Sequence, residues 1–118
     1  MKKIKDIKDF CENRLKLNKN NYKKINLNFN DLKNLINNGH IVGSHTLSHP
    51  NLKEIDDLKI LTDEIKESKK LLNKELKKKI DIFAFTYGSL KDINKKSMDI
   101  SLKNYDLVFS GIRGNNID

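Results

Sequence analysis

The sequence is poor in the residues that cross-link, stiffen or anchor a chain. Among its 118 residues there are one cysteine, Cys11, one proline, Pro50, and no tryptophan. A single cysteine excludes an internal disulfide and a thiolate metal centre within the chain. No apolar run approaches the roughly 20 residues of a membrane-spanning helix, and residues 1–6 are followed by alternating charge where a signal peptide would have an apolar stretch. These absences predict one small, soluble, cytoplasmic protein without a membrane span.

Arginine is also scarce, although the chain is basic. The formal net charge is +8, yet only Arg14 and Arg113 are arginines, and the lysines are scattered among 16 acidic residues. The 22 Lys, 16 Asn and 14 Ile are amino acids that AT-rich codons favour, which explains much of the basic excess without a partner. Basic residues do not alternate with aromatics that could stack on bases. Nucleic acid is therefore not an expected partner, and oligomeric state is left open.

Helical periodicity dominates the chain. It predicts helices at residues 1–17, 30–37, 56–78 and 92–102, with an Asn- and Lys-rich loop at residues 18–28. Asn30 is the expected N-cap of the second helix. In the long third helix the acidic residues Asp63, Glu64 and Glu67 are assigned to the solvent face. The last helix is expected to turn three apolar side chains inward, those of Ile93, Met98 and Leu102.

Short apolar runs alternate with these helices. They predict strands at residues 41–42, 80–85 and 105–109, which are rich in β-branched and aromatic residues. The resulting order, α, α, β, α, β, α, β, is typical of parallel strands joined by crossover helices. The sequence therefore predicts an α/β fold, with residues 1–28 as an N-terminal helix and loop and residues 29–118 as the domain.

One stretch, residues 39–52, concentrates the groups that carry chemistry. It contains all three histidines and the proline, and His45 and His49 lie four residues apart just beyond the predicted strand at residues 41–42. Side chains that follow parallel strands form the functional sites of α/β proteins. Neutral imidazoles are common ligands of divalent metals, so the pair predicts a metal loop in which His40 has only a supporting role.

The same stretch resembles a known family motif. The residues His45-Thr46-Leu47-Ser48-His49 match the His-Ser/Thr-x-x-His motif of the polysaccharide deacetylase family, which includes chitooligosaccharide and peptidoglycan deacetylases. Three further blocks follow in family order: Glu64-Ile65-Lys66-Glu67-Ser68-Lys69 on a helix, Phe83-Ala84-Phe85-Thr86-Tyr87-Gly88 at a strand and turn, and the strand at residues 105–110. The resemblance covers residues 29–118 and is more specific than a histidine pair alone.

The resemblance implies a fold and an activity. The fold would be part of a distorted (β/α) barrel that lacks the first strand and the C-terminal part. The activity would be metal-dependent removal of acetyl groups from N-acetylated sugars of a polysaccharide or glycan. His45 and His49 would bind the divalent metal, usually zinc in this family, and the backbone N–H of Tyr87 would stabilise the oxyanion.

Departures from the family pattern qualify this expectation. The family's Asp-Asp motif does not occur before His45, and the C-terminal motif with the catalytic histidine is absent as well. Asp56 and Asp57 come later and are assigned to helix capping. Thr86 replaces the usual proline. The third metal ligand is thus expected to come from outside this chain. The chain itself would be a truncated and catalytically impaired deacetylase. A basic binding module for nucleic acid or an anionic polymer, without catalysis, is the alternative function.

Overall fold

The structure is a computed structural model that describes residues 26–114. The helix predicted at residues 1–17 and most of the loop at residues 18–28 lie outside the described residues. The division of the chain at residue 28 therefore stays a prediction. Among residues 26–114 no helix combines the length and the apolar character needed to cross a bilayer.

The first described helix, α1 (Phe29–Asn37), is fixed by an asparagine at its start. Asn28 is the N-cap: its side-chain oxygen accepts from the backbone N–H groups of Asn30 and Asp31. The Asp31 carboxylate accepts in return from the Asn28 N–H at 2.9 Å, which completes a capping box. The prediction of Asn30 as N-cap is wrong by two residues, because Asn28 is the one with extended backbone (φ −102°, ψ 173°).

The strand predicted at residues 41–42 is not formed, and Ile41 is 81% exposed. The segment reaches the sheet two residues later, where Ser44 forms an isolated parallel bridge with Phe83. The Ser44 N–H donates to the Ile82 carbonyl at 2.8 Å, and the Ser44 carbonyl accepts from the Ala84 N–H at 2.9 Å. The prediction followed β-propensity, whereas strand pairing is decided by which residue meets an available partner edge.

The long predicted helix is confirmed as α2 (Leu58–Leu76). Asp57 is its N-cap and accepts from the backbone N–H groups of Lys59 and Ile60, so the assignment of Asp57 to capping is also confirmed. The apolar stripe faces the core, whereas Leu58 is 60% exposed because it begins the first turn. A 3-10 helix at Leu52–Glu54 precedes α2.

Two short parallel strands form the sheet. They are β1 (Ile82–Ala84) and β2 (Leu107–Phe109), with Ile82 opposite Leu107 and Ala84 opposite Phe109. The helix α3 (Lys95–Asn104) connects them. A parallel pair needs such a crossover, so the predicted α/β arrangement of parallel strands and crossover helices is confirmed within residues 26–114.

The inner face of α3 differs from the predicted one. Ile93 and Met98 pack against the core as expected, but Leu102 is 59% exposed and the buried positions are Ser97 and Ser101. Each serine hydroxyl donates to a backbone carbonyl of the preceding turn, at 2.9 and 2.8 Å. Small side chains with satisfied hydroxyls let the helix approach its neighbours closely, which apolar periodicity alone does not predict.

The core lies between β1 and the inner stripe of α2. Phe83 is completely buried, and its ring centroid lies 5.3 Å from that of Phe85 and 5.1 Å from that of Tyr105. The Tyr105 hydroxyl donates to the Ile65 carbonyl at 2.8 Å, so its polar end is satisfied inside the core. Phe83 of this aromatic group is the residue with which Ser44 forms its bridge, so the core and the start of the following loop meet at one residue.

Candidate active site

Residues 45–49 form a tight loop with two strained positions. Thr46 and His49 have φ values of 67° and 65°, in the left-handed region that β-branched residues in particular avoid. The Thr46 hydroxyl oxygen accepts from the His49 N–H at 3.0 Å and closes the turn. The loop brings the rings of His45 and His49 together, with centroids 5.0 Å apart and an interplanar angle of 69°. Strain of this kind concentrates at functional sites.

His45 is oriented by the sheet. Its Nδ1 lies 2.9 Å from the carbonyl oxygen of Ala84, the last residue of β1. Because a carbonyl only accepts, Nδ1 donates in this bond, and in the neutral imidazole the free lone pair is then on Nε2. A metal-binding histidine is commonly fixed in this way by a hydrogen bond from its other nitrogen. Both His45 and His49 are exposed residues.

Tyr87 borders the histidine pair. Its ring meets that of His49 edge to face, with centroids 5.6 Å apart, and the residue is 47% exposed. Within the part of the chain that the structure describes, the Tyr87 N–H donates to no backbone carbonyl. The three predicted site residues His45, His49 and Tyr87 therefore lie next to one another, although they come from two segments separated by α2.

Polar bonds join these two segments. The Thr86 hydroxyl donates to the Pro50 carbonyl at 2.5 Å, and the Asn51 amide donates to Asp92 at 3.3 Å. The hydrogen bond from the Ser89 hydroxyl, despite partial burial, lowers the pKa of Asp92, so the carboxylate that accepts from Asn51 is ionised at neutral pH. Thr86 stands where the family pattern has proline, and here its hydroxyl connects the two segments.

Helix α2 holds the loop from the other side. The Glu64 carboxylate accepts from the backbone N–H groups of Leu47 and Ser48 and from the Ser48 hydroxyl. The assignment of Glu64 to the solvent face is wrong, since its side chain is bound to the loop. Its place in the Glu-Ile-x-x-Ser-Lys block, one turn before Ser68, was the available signal. Sequence reasoning also gave no role to Asn51, two residues after His49.

His40 is separate from this arrangement. It follows α1, where Gly39 takes a φ of 86°, and its backbone N–H donates to the Leu35 carbonyl at 3.0 Å. Together with the bond from the Gly39 N–H to Ile36, this is the Schellman ending that a glycine after a helix permits. His40 thus contributes to the end of a helix through its backbone, and its side chain is exposed.

The described residues supply two imidazoles to the candidate metal site. In the region from 26 to 114 there is no group of three or more His, Cys, Asp or Glu side chains arranged to hold a metal. Neutral imidazoles of fixed orientation suit zinc and similar divalent ions. Two donors occupy half of a tetrahedral coordination sphere, so the pair fits a metal as part of a ligand set.

The described residues thus combine an α/β fold with a pair of imidazoles beside Tyr87. The family model described as polysaccharide deacetylase matches residues 13–104, which is more than half of the chain. The chain belongs to the polysaccharide deacetylase family. No curated protein matches the sequence.

A solved structure is also similar to this chain. It is described as "Streptococcus pyogenes deacetylase PplD in complex with acetate" and shares 28% sequence identity with a TM-score of 0.64. The similarity covers 73% of this chain and 37% of the streptococcal chain. The present chain thus matches well under half of that protein, and the match supports an α/β fold similar to a deacetylase. The barrel architecture and its missing parts stay predictions.

Proposed function

We propose that the chain is a metal-dependent hydrolase that removes acetyl groups from the N-acetylated sugars of a polysaccharide or glycan. The observation that carries this proposal is that the rings of His45, His49 and Tyr87 lie next to one another. Family membership supports a deacetylase-type function and a carbohydrate substrate. The comparisons give no support to the alternative of a basic binding module.

In this proposal His45 and His49 hold a divalent metal, zinc by analogy with the family. The metal would polarise the acetyl carbonyl and lower the pKa of a water molecule. His45 contributes an orientation fixed by the Ala84 carbonyl, which presents Nε2 to the ion. His49 is held by its own N–H and by the Tyr87 ring.

Tyr87 acts through its backbone. Hydrolysis of the acetamide adds water oxygen to the carbonyl carbon and places negative charge on the former carbonyl oxygen. An exposed N–H directed at that oxygen stabilises the charge where it develops. The C–N bond would then break, the leaving amine would take up the proton released by the attacking water, and acetate would leave. We assign no proton acceptor within residues 26–114.

We further propose that the 118-residue chain alone is catalytically impaired, because its sequence has no Asp-Asp motif before His45 and residues 26–114 supply only two candidate ligands. The test is to titrate the chain with Zn²⁺, Co²⁺ and Ni²⁺ by calorimetry and to assay acetate release from chitooligosaccharides. The expected result is weak binding that His45→Ala abolishes, with little or no acetate release. His40→Ala is the matched control and should bind as wild type does.

Two results would change the proposal. A tight one-to-one site with rapid acetate release would show that the chain alone is a complete enzyme and would refute impairment. Absence of binding for all three ions would refute the assignment of His45 and His49 as metal ligands.

A further inference from the structure

The loop with the histidine pair is held by α2 at two equivalent points. The Ser44 hydroxyl lies 2.7 Å from the Ser68 hydroxyl, and the Ser48 hydroxyl donates to Glu64 at 2.6 Å. The two loop serines are four residues apart, and each directly precedes one histidine of the pair. Their partners on the helix are also four residues apart, which places them one turn from each other on the same face.

Glu64 makes the more extensive of the two contacts. One carboxylate oxygen accepts from the N–H groups of Leu47 and Ser48, both at 2.9 Å, and the other accepts from the Ser48 hydroxyl. Hydrogen bonds to an ionised acceptor are about twice as strong as neutral ones. Three of them converge on the middle of the loop between the two histidines.

The loop needs such support because of its backbone. Thr46 and His49, on either side of the residues that Glu64 binds, are the two left-handed positions of this segment. A conformation that L-residues avoid persists only where surrounding contacts determine it. The Thr46 hydroxyl supplies one contact inside the loop, and Glu64 supplies the contacts from outside.

We infer that Glu64 is a positioning residue that fixes the spacing of the His45 and His49 rings before a metal binds. The connection to metal binding rests on the proposed function, but the ring spacing is a property of the metal-free chain. Both oxygens of Glu64 are engaged by the loop, so the residue acts through the loop and is not itself a ligand in this arrangement.

The first experiment uses the metal-free chain. Glu64→Gln removes the charge and part of the acceptor capacity, and Glu67→Gln is the matched control, since Glu67 pairs at the surface with Lys70 on the same helix. NMR would measure two quantities: the nuclear Overhauser contact between the two imidazoles, and the protection of the Leu47 and Ser48 amides from hydrogen exchange. We expect the contact and the protection to be lost in Glu64→Gln and retained in the control. Retention of the ring contact in Glu64→Gln would overturn the inference.

The second experiment measures Zn²⁺ affinity by the shift of the imidazole signals. Loss of a group that orients a ligand typically weakens metal binding roughly ten- to a hundredfold. We expect a loss of that size in Glu64→Gln, with the fold retained as judged by circular dichroism, and wild-type affinity in Glu67→Gln. If Glu64→Gln does not fold, Ser48→Ala tests the same contact through one of its three bonds, and Ser48→Thr should restore it.

The outcomes separate the two proposals. Equal Zn²⁺ affinity in wild type and Glu64→Gln would overturn the positioning role. A wild-type chain that binds no Zn²⁺ would refute the proposed metal site, and the imidazole contact in the metal-free chain would still decide whether Glu64 sets the spacing.

Discussion

The imidazole of His45 and the carbonyl of Ala84 are joined by a hydrogen bond of 2.9 Å from Nδ1 to oxygen. This bond connects the histidine motif to the end of β1, although 39 residues of chain separate the two. The neighbouring Ser44 pairs with the same strand, so the direction of the His45 ring is set by the sheet as well as by the loop.

The first prediction concerns the tautomer of His45. In the neutral imidazole of His45 the proton should reside on Nδ1, since the Ala84 carbonyl needs a donor. Long-range ¹H–¹⁵N spectra of the metal-free chain would distinguish the two nitrogens. His40, whose side chain is exposed, serves as the internal reference and should show the tautomer of a free imidazole. A proton on Nε2 of His45 would contradict the prediction.

The second prediction concerns the turn that carries Tyr87. A Cβ on Gly88 would lie 2.2 Å from the nitrogen and 2.9 Å from the Cα of Gly111, both backbone atoms that cannot swing away. Gly88→Ala should therefore destabilise the fold by roughly 1–3 kcal/mol or more. Thermal unfolding followed by circular dichroism measures the loss.

The same contact offers its own control. A Cβ on Gly111 would meet Gly88 only at 3.5 Å, which is ordinary van der Waals contact. Gly111→Ala should change stability by less than about 1 kcal/mol. Equal losses of stability in the two variants would contradict the close approach of the Gly88 and Gly111 backbones.

The third prediction concerns the aromatic core. Phe83 is fully buried against Phe85 and Tyr105, so Phe83→Ala should cost about 3–5 kcal/mol from lost burial and the cavity left behind. Phe109 is the matched control, because it lies on the neighbouring strand and is 56% exposed. Phe109→Ala should cost less than about 1 kcal/mol. Urea denaturation of both variants measures the difference, and similar midpoints would contradict the burial of Phe83.

The fourth prediction concerns acid stability. The hydrogen bond from Lys79, together with that from Lys69, lowers the pKa of Asp81 below its ordinary value of 3.8. A carboxyl whose pKa is lower in the folded state contributes stability above its unfolded pKa, and this contribution is lost as pH falls through the folded pKa. The contribution of Asp81 should therefore be present at pH 5–7 and decline below about pH 4.

Asp81→Asn tests this dependence. The variant should melt at a lower temperature than wild type at pH 6, and the difference should shrink towards pH 3, because the paired carboxylate of the wild type becomes protonated. Asp106→Asn is the control, since Asp106 is 73% exposed and 3.5 Å from the Lys79 ammonium. A difference that stays constant from pH 6 to pH 3 would refute the role of the Asp81 charge.

Several features could be predicted from the sequence because they depend on neighbours along the chain. The spacing of Leu61, Ile65 and Leu76 fixes the inner stripe of α2. Asp57 caps the same helix by accepting hydrogen bonds from the residues two and three positions further along the chain. The histidine motif and the ordered blocks after it gave the family, which the family match confirms. Predictions of this kind succeed because the period of a helix is a local property.

Other features depend on contacts between distant segments. The bridge at Ser44, the exposure of Leu102 and the burial of Ser101 follow from how segments meet. The role of Glu64 is of the same kind, because a carboxylate on an amphipathic helix looks solvent-facing until another segment presents donors to it. Secondary-structure propensity and apolar periodicity describe single segments, so they do not predict a partner from another segment.

The candidate site shows the same difference between features set by local sequence and features set by contacts between distant segments. The sequence by itself determined the family, and through the family motif it predicted His45, His49 and Tyr87 as site residues, since residue type and spacing carry that motif. Only the tertiary structure decided that these groups lie together, that Ala84 orients His45, and that Glu64 holds the loop between the two histidines. Those relations depend on hydrogen-bond geometry between segments 16 to 39 residues apart, which forms only when the chain is folded.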